Sequence, residues 1–163
     1  GLAYIRDGEA FLGVLVISLL SDVLDGYFAR KLNQTSDLGA KLDSWGDMLT
    51  YGAMILGLYW IWPAVFSAQA GYLLATVLFF IAPIVMALRK FGEYPSYHTW
   101  GAKATAVLMA PAYYVLVLLD ADTFFRLVIL VHVVVSCEEM AITYILDRPR
   151  TNVRSVFSLR ARI

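Results

Sequence analysis

SDVLDGYFARKLNQTSDLGAKLDSWGD, residues 21–47, puts four carboxylates into a stretch bounded on both sides by apolar sequence. AFLGVLVISLL (10–20) precedes it and MLTYGAMILGLYWIW (48–62) follows. Asp22 and Asp25 are spaced i,i+3, and Asp43 and Asp47 are spaced i,i+4. On helices each pair shares one face, with Cβ atoms about 5–6 Å apart. The polar connection at 31–36 is short enough to make the two helices antiparallel neighbours, so that all four carboxylates converge near one membrane depth. Four such groups at low dielectric repel one another unless a proton or a cation compensates them. Two divalent cations would cancel the charge, and oxygen-only ligands favour Mg²⁺, Mn²⁺ or Ca²⁺ over zinc or copper. A proton relay or a structural acidic cluster is the other reading of intramembrane carboxylates.

The small residues narrow the choice. Gly26 and Ala29 follow Asp25, Arg30 comes next and Gly39 precedes Asp43, giving D-x2-D-G-x2-A-R-x8-G-x3-D-x3-D with every position present. This pattern resembles the signature of the CDP-alcohol phosphotransferases, integral membrane enzymes of phospholipid synthesis. Each position also has a physical rationale. Glycine and alanine let a nucleotide and its pyrophosphate approach the helix backbone, and Arg30 offers a fork of donors to phosphate oxygens. Ser36 or Asp37 can cap the second helix.

The resemblance implies two bound cations, Mg²⁺ or Mn²⁺, held by Asp22, Asp25 and Asp43, with Asp47 completing the second site. It implies a CDP-substrate surface made by Gly26, Ala29, Arg30, Ser36 and Gly39, and Asp47 as the base on the acceptor hydroxyl. The implied activity moves a substituted phosphate, phosphatidyl from CDP-diacylglycerol by preference, to a small alcohol with release of CMP. The implied fold has six transmembrane helices and commonly forms homodimers. Five are visible here, so the first family helix is expected to lie outside this sequence. After Asp43 the chain reads SWGD instead of the PxAD common in phosphatidylglycerophosphate synthases, which speaks against that acceptor.

Composition agrees with a membrane protein. Of 163 residues 60% are hydrophobic and 16% charged, and the mean hydropathy is +0.68; soluble domains carry about 25% charged residues. The length fits one domain, read as a transmembrane domain over 1–147 and a basic cytoplasmic tail over 148–163. The net charge of zero gives no indication of nucleic acid. A single cysteine, Cys137, excludes an internal disulfide and reads as a buried apolar thiol. The expected fold is an all-α integral membrane bundle with helices near 9–31, 37–62, 69–89, 99–119 and 123–146. Trp60 and Trp62 suit an interface, and Pro83 should kink the third helix unless its neighbours compensate.

Placing the motif loop in the cytoplasm puts Arg30, Lys31, Lys41, Arg89, Lys90, Lys103 and the tail arginines inside, and only Arg6 and Arg126 outside. That asymmetry is positive-inside, so the active site is expected to open to the cytoplasm, of a bacterial inner membrane by preference. The loop 89–103 offers Arg89, Lys90, His98 and Lys103 to a polar acceptor, or alternatively forms an interfacial loop of snorkelling bases. At least one of Glu138 and Glu139 should face the interior with a base such as Lys103 as partner, substrate contact being the alternative, and His132 reads as a satisfied interior or neutral histidine instead of a ligand. The tail reads as a topology anchor with secondary contact to anionic headgroups. Rival functions are a prenyltransferase, a cation- or proton-coupled transporter and a non-catalytic membrane scaffold. A prenyltransferase would need its two clusters on helices far apart in a longer chain, a transporter would not need the G-x2-A-R and glycine spacing, and an intact tetrad argues against a non-catalytic scaffold.

Overall fold

The computed structural model describes residues 7–32, 37–94, 97, 99–150 and 153–160, with side chains at all of these except 27, 29, 30, 37, 38, 40–44, 47 and 160. Every regular element among them is helical: α1 Gly8–Lys31, α2 Asp37–Ile61, α3 Pro63–Phe91, α4 Trp100–Leu119, α5 Asp122–Ile145 and α6 Phe157–Arg160. The fold is that of an all-α integral membrane protein. α3, α4 and α5 are each long and apolar enough to cross a bilayer, and Met48–Ile61 is a shorter apolar stretch within α2. Two compact units divide the chain, Gly1–Ala68 and Gln69–Ile163.

In the first unit α1 starts at a sequence-coded cap. Asp7 Oδ1 accepts the Ala10 N–H at 3.0 Å, satisfying a donor that the first helical turn leaves unpaired. Phe11, Leu12 and Leu15 of α1 are buried, as are Met54, Gly57 and Leu58 of α2, at spacings that put each set on one helix face. Phe11 meets Trp62 edge to face with centroids 6.3 Å apart. A Cβ added at Gly8 would lie 3.1 Å from the Trp62 ring and 3.4 Å from Ile61. The start of α1 therefore packs against the end of α2, and the two run antiparallel. α3 begins directly after Trp62, at Pro63, instead of near 69. Proline is at home in the first helical position, where its missing N–H has no partner to lose and its φ is preset.

The second unit is built on the α4–α5 hairpin. Asp120 turns the chain in the left-handed region (φ 50°, ψ 31°), one of the few non-glycine types that tolerates it. Thr99 caps α4 by accepting the Ala102 N–H at 3.1 Å. Met109, Ala112, Tyr113 and Leu116 of α4 and Phe125, Val128, Ile129 and Val135 of α5 are buried. Gly101 lets the helices close: a Cβ there would lie 2.5 Å from Val135 Cγ2. Helices in lipid gain little from apolar burial alone, so close packing at small residues and interhelical hydrogen bonds carry their association.

α3 is joined to α5 by a polar contact. Arg126 donates from Nε to Gln69 Oε1 at 3.1 Å, pairs with Asp122 one turn away and lies over the Tyr72 ring at 5.3 Å. Gln69 is only 2% exposed, so this donor satisfies an otherwise orphaned amide oxygen. α3 and α4 run through Pro83 and Pro111 without interruption; membrane helices tolerate proline where neighbours and local adjustment satisfy the freed carbonyl.

At the other end of the second unit the chain after α5 folds back. Val153 packs with Tyr97, Ile142 and Leu146, and Phe91, Val156 and Leu159 surround the cluster. The Trp100 N–H donates to the Arg154 carbonyl at 3.2 Å. Thr143 donates to the Glu139 carbonyl at 3.0 Å, which leaves Tyr97 as the donor in its buried 2.7 Å contact with the Thr143 hydroxyl.

Three expectations about α5 change here. Glu138 takes hydroxyl and amide donors from the tail, Ser155 Oγ at 2.7 Å and Val156 N–H at 3.0 Å, not Lys103. Cys137 is exposed instead of buried; on a spanning helix the outward face meets lipid, so an apolar thiol needs no protein cover. His132 has a buried Nε2 with no hydrogen-bond partner among the described residues.

Candidate active site

α1 carries Asp22 and Asp25 one turn apart near its C-terminal end, with Asp22 half-buried and Asp25 exposed. Gly26, half-buried, follows directly. Ala29 and Arg30 lie in the last turns of α1, and their side chains are outside the described set, as is Ser36 altogether. α2 opens at Asp37, exposes Gly39 in its first turn, and carries Asp43 and Asp47 one turn apart along its backbone. The side chains of Asp43 and Asp47 lie outside the described set.

The antiparallel contact of Gly8 and Phe11 with Ile61 and Trp62 sets a register. Counted along both helices at 1.5 Å per residue, it brings Asp22 and Asp25 level with roughly residues 45–51 of α2. Asp47 falls inside that span, and Asp43 lies one turn nearer the connection. Gly46, between them, has open space where a side chain would stand. Among the described residues no three His, Cys, Asp or Glu come together as a cation site, and two members of the expected tetrad are outside that set.

The donor chemistry of the described half suits a hard cation. Asp22 and Asp25 offer only oxygen, on one helix and one turn apart, the ligand type that Mg²⁺ and Mn²⁺ prefer. The other expected contacts belong to the second unit. Arg89 and Lys90 end α3 and are exposed, Lys103 is exposed in the first turn of α4, and His98 is outside the described residues. Lys90 Nζ donates to the Tyr144 carbonyl at 2.7 Å and lies over the Phe91 and Tyr144 rings at 5.5 and 5.8 Å. The Lys103 ammonium lies over Trp100 at 5.5 Å. Arg89 has no hydrogen-bond or ion-pair partner among the described residues.

Two features were not legible in the sequence: the Arg126–Gln69 link and the docking of Glu138 on the tail. The nearest signal was a glutamate pair deep in an apolar helix, which demands partners without naming them.

The chain is 35% identical over 122 residues to a cardiolipin synthase (CMP-forming) of Streptomyces coelicolor, covering 71% of this chain and 53% of that protein. It is 45% identical over 65 residues to a phosphatidylinositol phosphate synthase of Streptomyces avermitilis, covering 39% of this chain and 26% of the relative. It is 46% identical over 39 residues to a CDP-diacylglycerol–serine O-phosphatidyltransferase of Methanocaldococcus jannaschii, covering 24% and 19%. The chain thus spans about half the length of the first of these relatives and less of the others. No solved structure matches it. A family model for CDP-alcohol phosphatidyltransferase matches residues 4–144, nearly the whole of the chain, and the chain belongs to that family.

Proposed function

We propose that this chain is the catalytic part of a membrane transferase that moves a phosphatidyl group from CDP-diacylglycerol to a small alcohol and releases CMP. The observation that carries the reading is the complete acidic motif on two antiparallel helices, with each aspartate pair one turn apart. The relatives support the same class: one name specifies CMP formation and another specifies CDP-diacylglycerol as donor and serine as acceptor.

Asp22, Asp25, Asp43 and Asp47 would hold two divalent cations, Mg²⁺ or Mn²⁺. When bound, these cations neutralise charge on the donor's pyrophosphate and on the oxygens of the displacement. Arg30 binds phosphate oxygens through its guanidinium fork, and Gly26, Ala29, Ser36 and Gly39 line the nucleotide side. Asp47 accepts the proton of the acceptor hydroxyl. The acceptor oxygen forms the new bond to the β-phosphorus, the bond to the bridging oxygen breaks, and CMP leaves with that oxygen. Arg89, Lys90, His98 and Lys103 belong to this proposal as contacts for a polar acceptor. The positive-inside asymmetry supports a site that opens to the cytoplasm. A homodimer is part of the same reading, supported by the open space at Gly46 and Gly52 on α2.

The experiment is CMP release in lipid by the chain within its full-length protein. CDP-diacylglycerol and a panel of alcohols are supplied with Mg²⁺, Mn²⁺ or EDTA. Metal-dependent release with one alcohol is the expected result. Absence of release from folded protein with every donor and acceptor would turn the acidic cluster into a transport or structural site.

A further inference from the structure

The exposed cations of the second unit gather at the end that carries the α3–α4 loop and the tail. Arg89 and Lys90 close α3, Lys103 lies in the first turn of α4, and Arg148, Arg150 and Arg154 follow α5. The exposed carboxylates among these segments are Glu93 and Asp147. Large aromatic rings face outward on the same rim: Trp100 is 66% exposed, Tyr144 76% and Phe157 75%. Aromatic rings beside cations at the ends of apolar helices are what the headgroup layer of a bilayer selects.

The tail is held in place, unlike a loose basic extension. Val153 is 6% exposed, the Arg154 carbonyl takes the Trp100 N–H, and the Glu138 carboxylate takes both the Ser155 hydroxyl and the Val156 N–H. Charge-assisted bonds of this kind are the stronger ones. Val156 and Leu159 turn toward the Tyr97 cluster, while Phe157 and Ser158 are exposed. One side of the tail is docked on protein, and the other presents an aromatic ring next to arginines.

We propose that this latched tail is a docking surface for anionic phospholipid headgroups. Phe157 enters the boundary between headgroups and acyl chains, and Arg148, Arg150 and Arg154 take lipid phosphate oxygens. Charge complementarity selects the partner, because the arginines outnumber the nearby carboxylates and an anionic headgroup supplies what they lack. Position selects it too: the tail follows a membrane-spanning helix directly, so the bilayer surface is within its reach. Glu138 keeps the arginines at one place on that surface, so the selection is local to the tail.

The test places a bimane fluorophore at position 157 (Phe157→Cys in a Cys137→Ser background) in the full chain reconstituted in phosphatidylcholine bilayers. Nitroxide-headgroup phosphatidylglycerol and nitroxide-headgroup phosphatidylcholine are compared as quenchers. Phosphatidylglycerol should quench preferentially, and each arginine changed to glutamine should lower that preference about fivefold, since one basic residue near an anionic surface contributes about 1 kcal/mol. A fluorophore at Leu119, exposed at the far end of α4, should show no preference. Glu138→Leu should erase the preference at 157 by releasing the tail. If that variant fails to fold, Ser155→Ala, which removes one of the two donors, should weaken it. Equal quenching by the two lipids at 157, or a label that neither lipid quenches, overturns the proposal.

Discussion

Gly101→Ala tests whether the α4–α5 hairpin is held by backbone proximity. The added methyl would lie 2.5 Å from Val135 Cγ2, 3.4 Å from Cγ1 and 3.5 Å from Cβ. A carbon pair at 2.5 Å is far inside contact distance, so one partner must move. Val135 is β-branched and strongly restricted to one χ1 well in a helix, and it is 8% exposed, so it has little room to rotate. Overpacking of this kind costs about 1–3 kcal/mol. Alanine's better helix propensity returns up to about 1 kcal/mol, leaving a net loss of about 1 kcal/mol from the middle of the overpacking range. The assay is SDS titration of the protein in mixed micelles, followed by circular dichroism. Val135→Ala alone should also destabilise, by about 2 kcal/mol. Because it removes both γ-methyls, the double variant should cost at least about 1 kcal/mol less than the sum of the two singles. Strict additivity, or a Gly101→Ala protein as stable as the parent, would show that the helices do not approach as closely as described.

Four further outcomes are expected. Asp47→Asn should lower turnover by about 10²–10⁴-fold, the usual contribution of a general base, while CDP-diacylglycerol still binds by equilibrium dialysis; unchanged turnover sinks the base assignment. EDTA should abolish CMP release and Mg²⁺ or Mn²⁺ should restore it, and Asp22→Asn should raise the metal concentration needed for half-maximal rate; a metal-independent rate contradicts the tetrad. Arg126→Leu should destabilise by about 1–3 kcal/mol, because it strands the buried Gln69 oxygen, and Gln69→Met in the same background should recover part of that loss in the SDS titration. Removing 148–163 should lower stability by roughly 1–3 kcal/mol through the lost donors to Glu138 yet spare CMP release per folded molecule; lost turnover in folded protein refutes the separation of tail from chemistry.

Residues 21–47 made the family legible because the motif constrains side-chain type and spacing at once: carboxylates one turn apart, with glycine, alanine and arginine at fixed positions between the pairs. Apolar runs likewise made the helices legible, since a bilayer demands them. Asp7 and Thr99 cap their helices through residues only three positions along, yet were evident as caps only in the structure. What the sequence left open depends on partners far along the chain. Glu138, a half-buried acid in α5, demands a donor, and nothing local to 138 says that Ser155 and Val156 supply it. Gln69 and Arg126 meet across 57 residues of separation, and Gly101 faces Val135 only because the α4–α5 turn sets that register. Cys137 turned out to face outward because apolar character alone cannot distinguish lipid from protein interior in a membrane helix. Sequence by itself determined the helices, the motif and the family, which rest on local periodicity and side-chain chemistry. Only the tertiary structure decided which faces meet and that the basic tail is latched, because those outcomes depend on long-range packing.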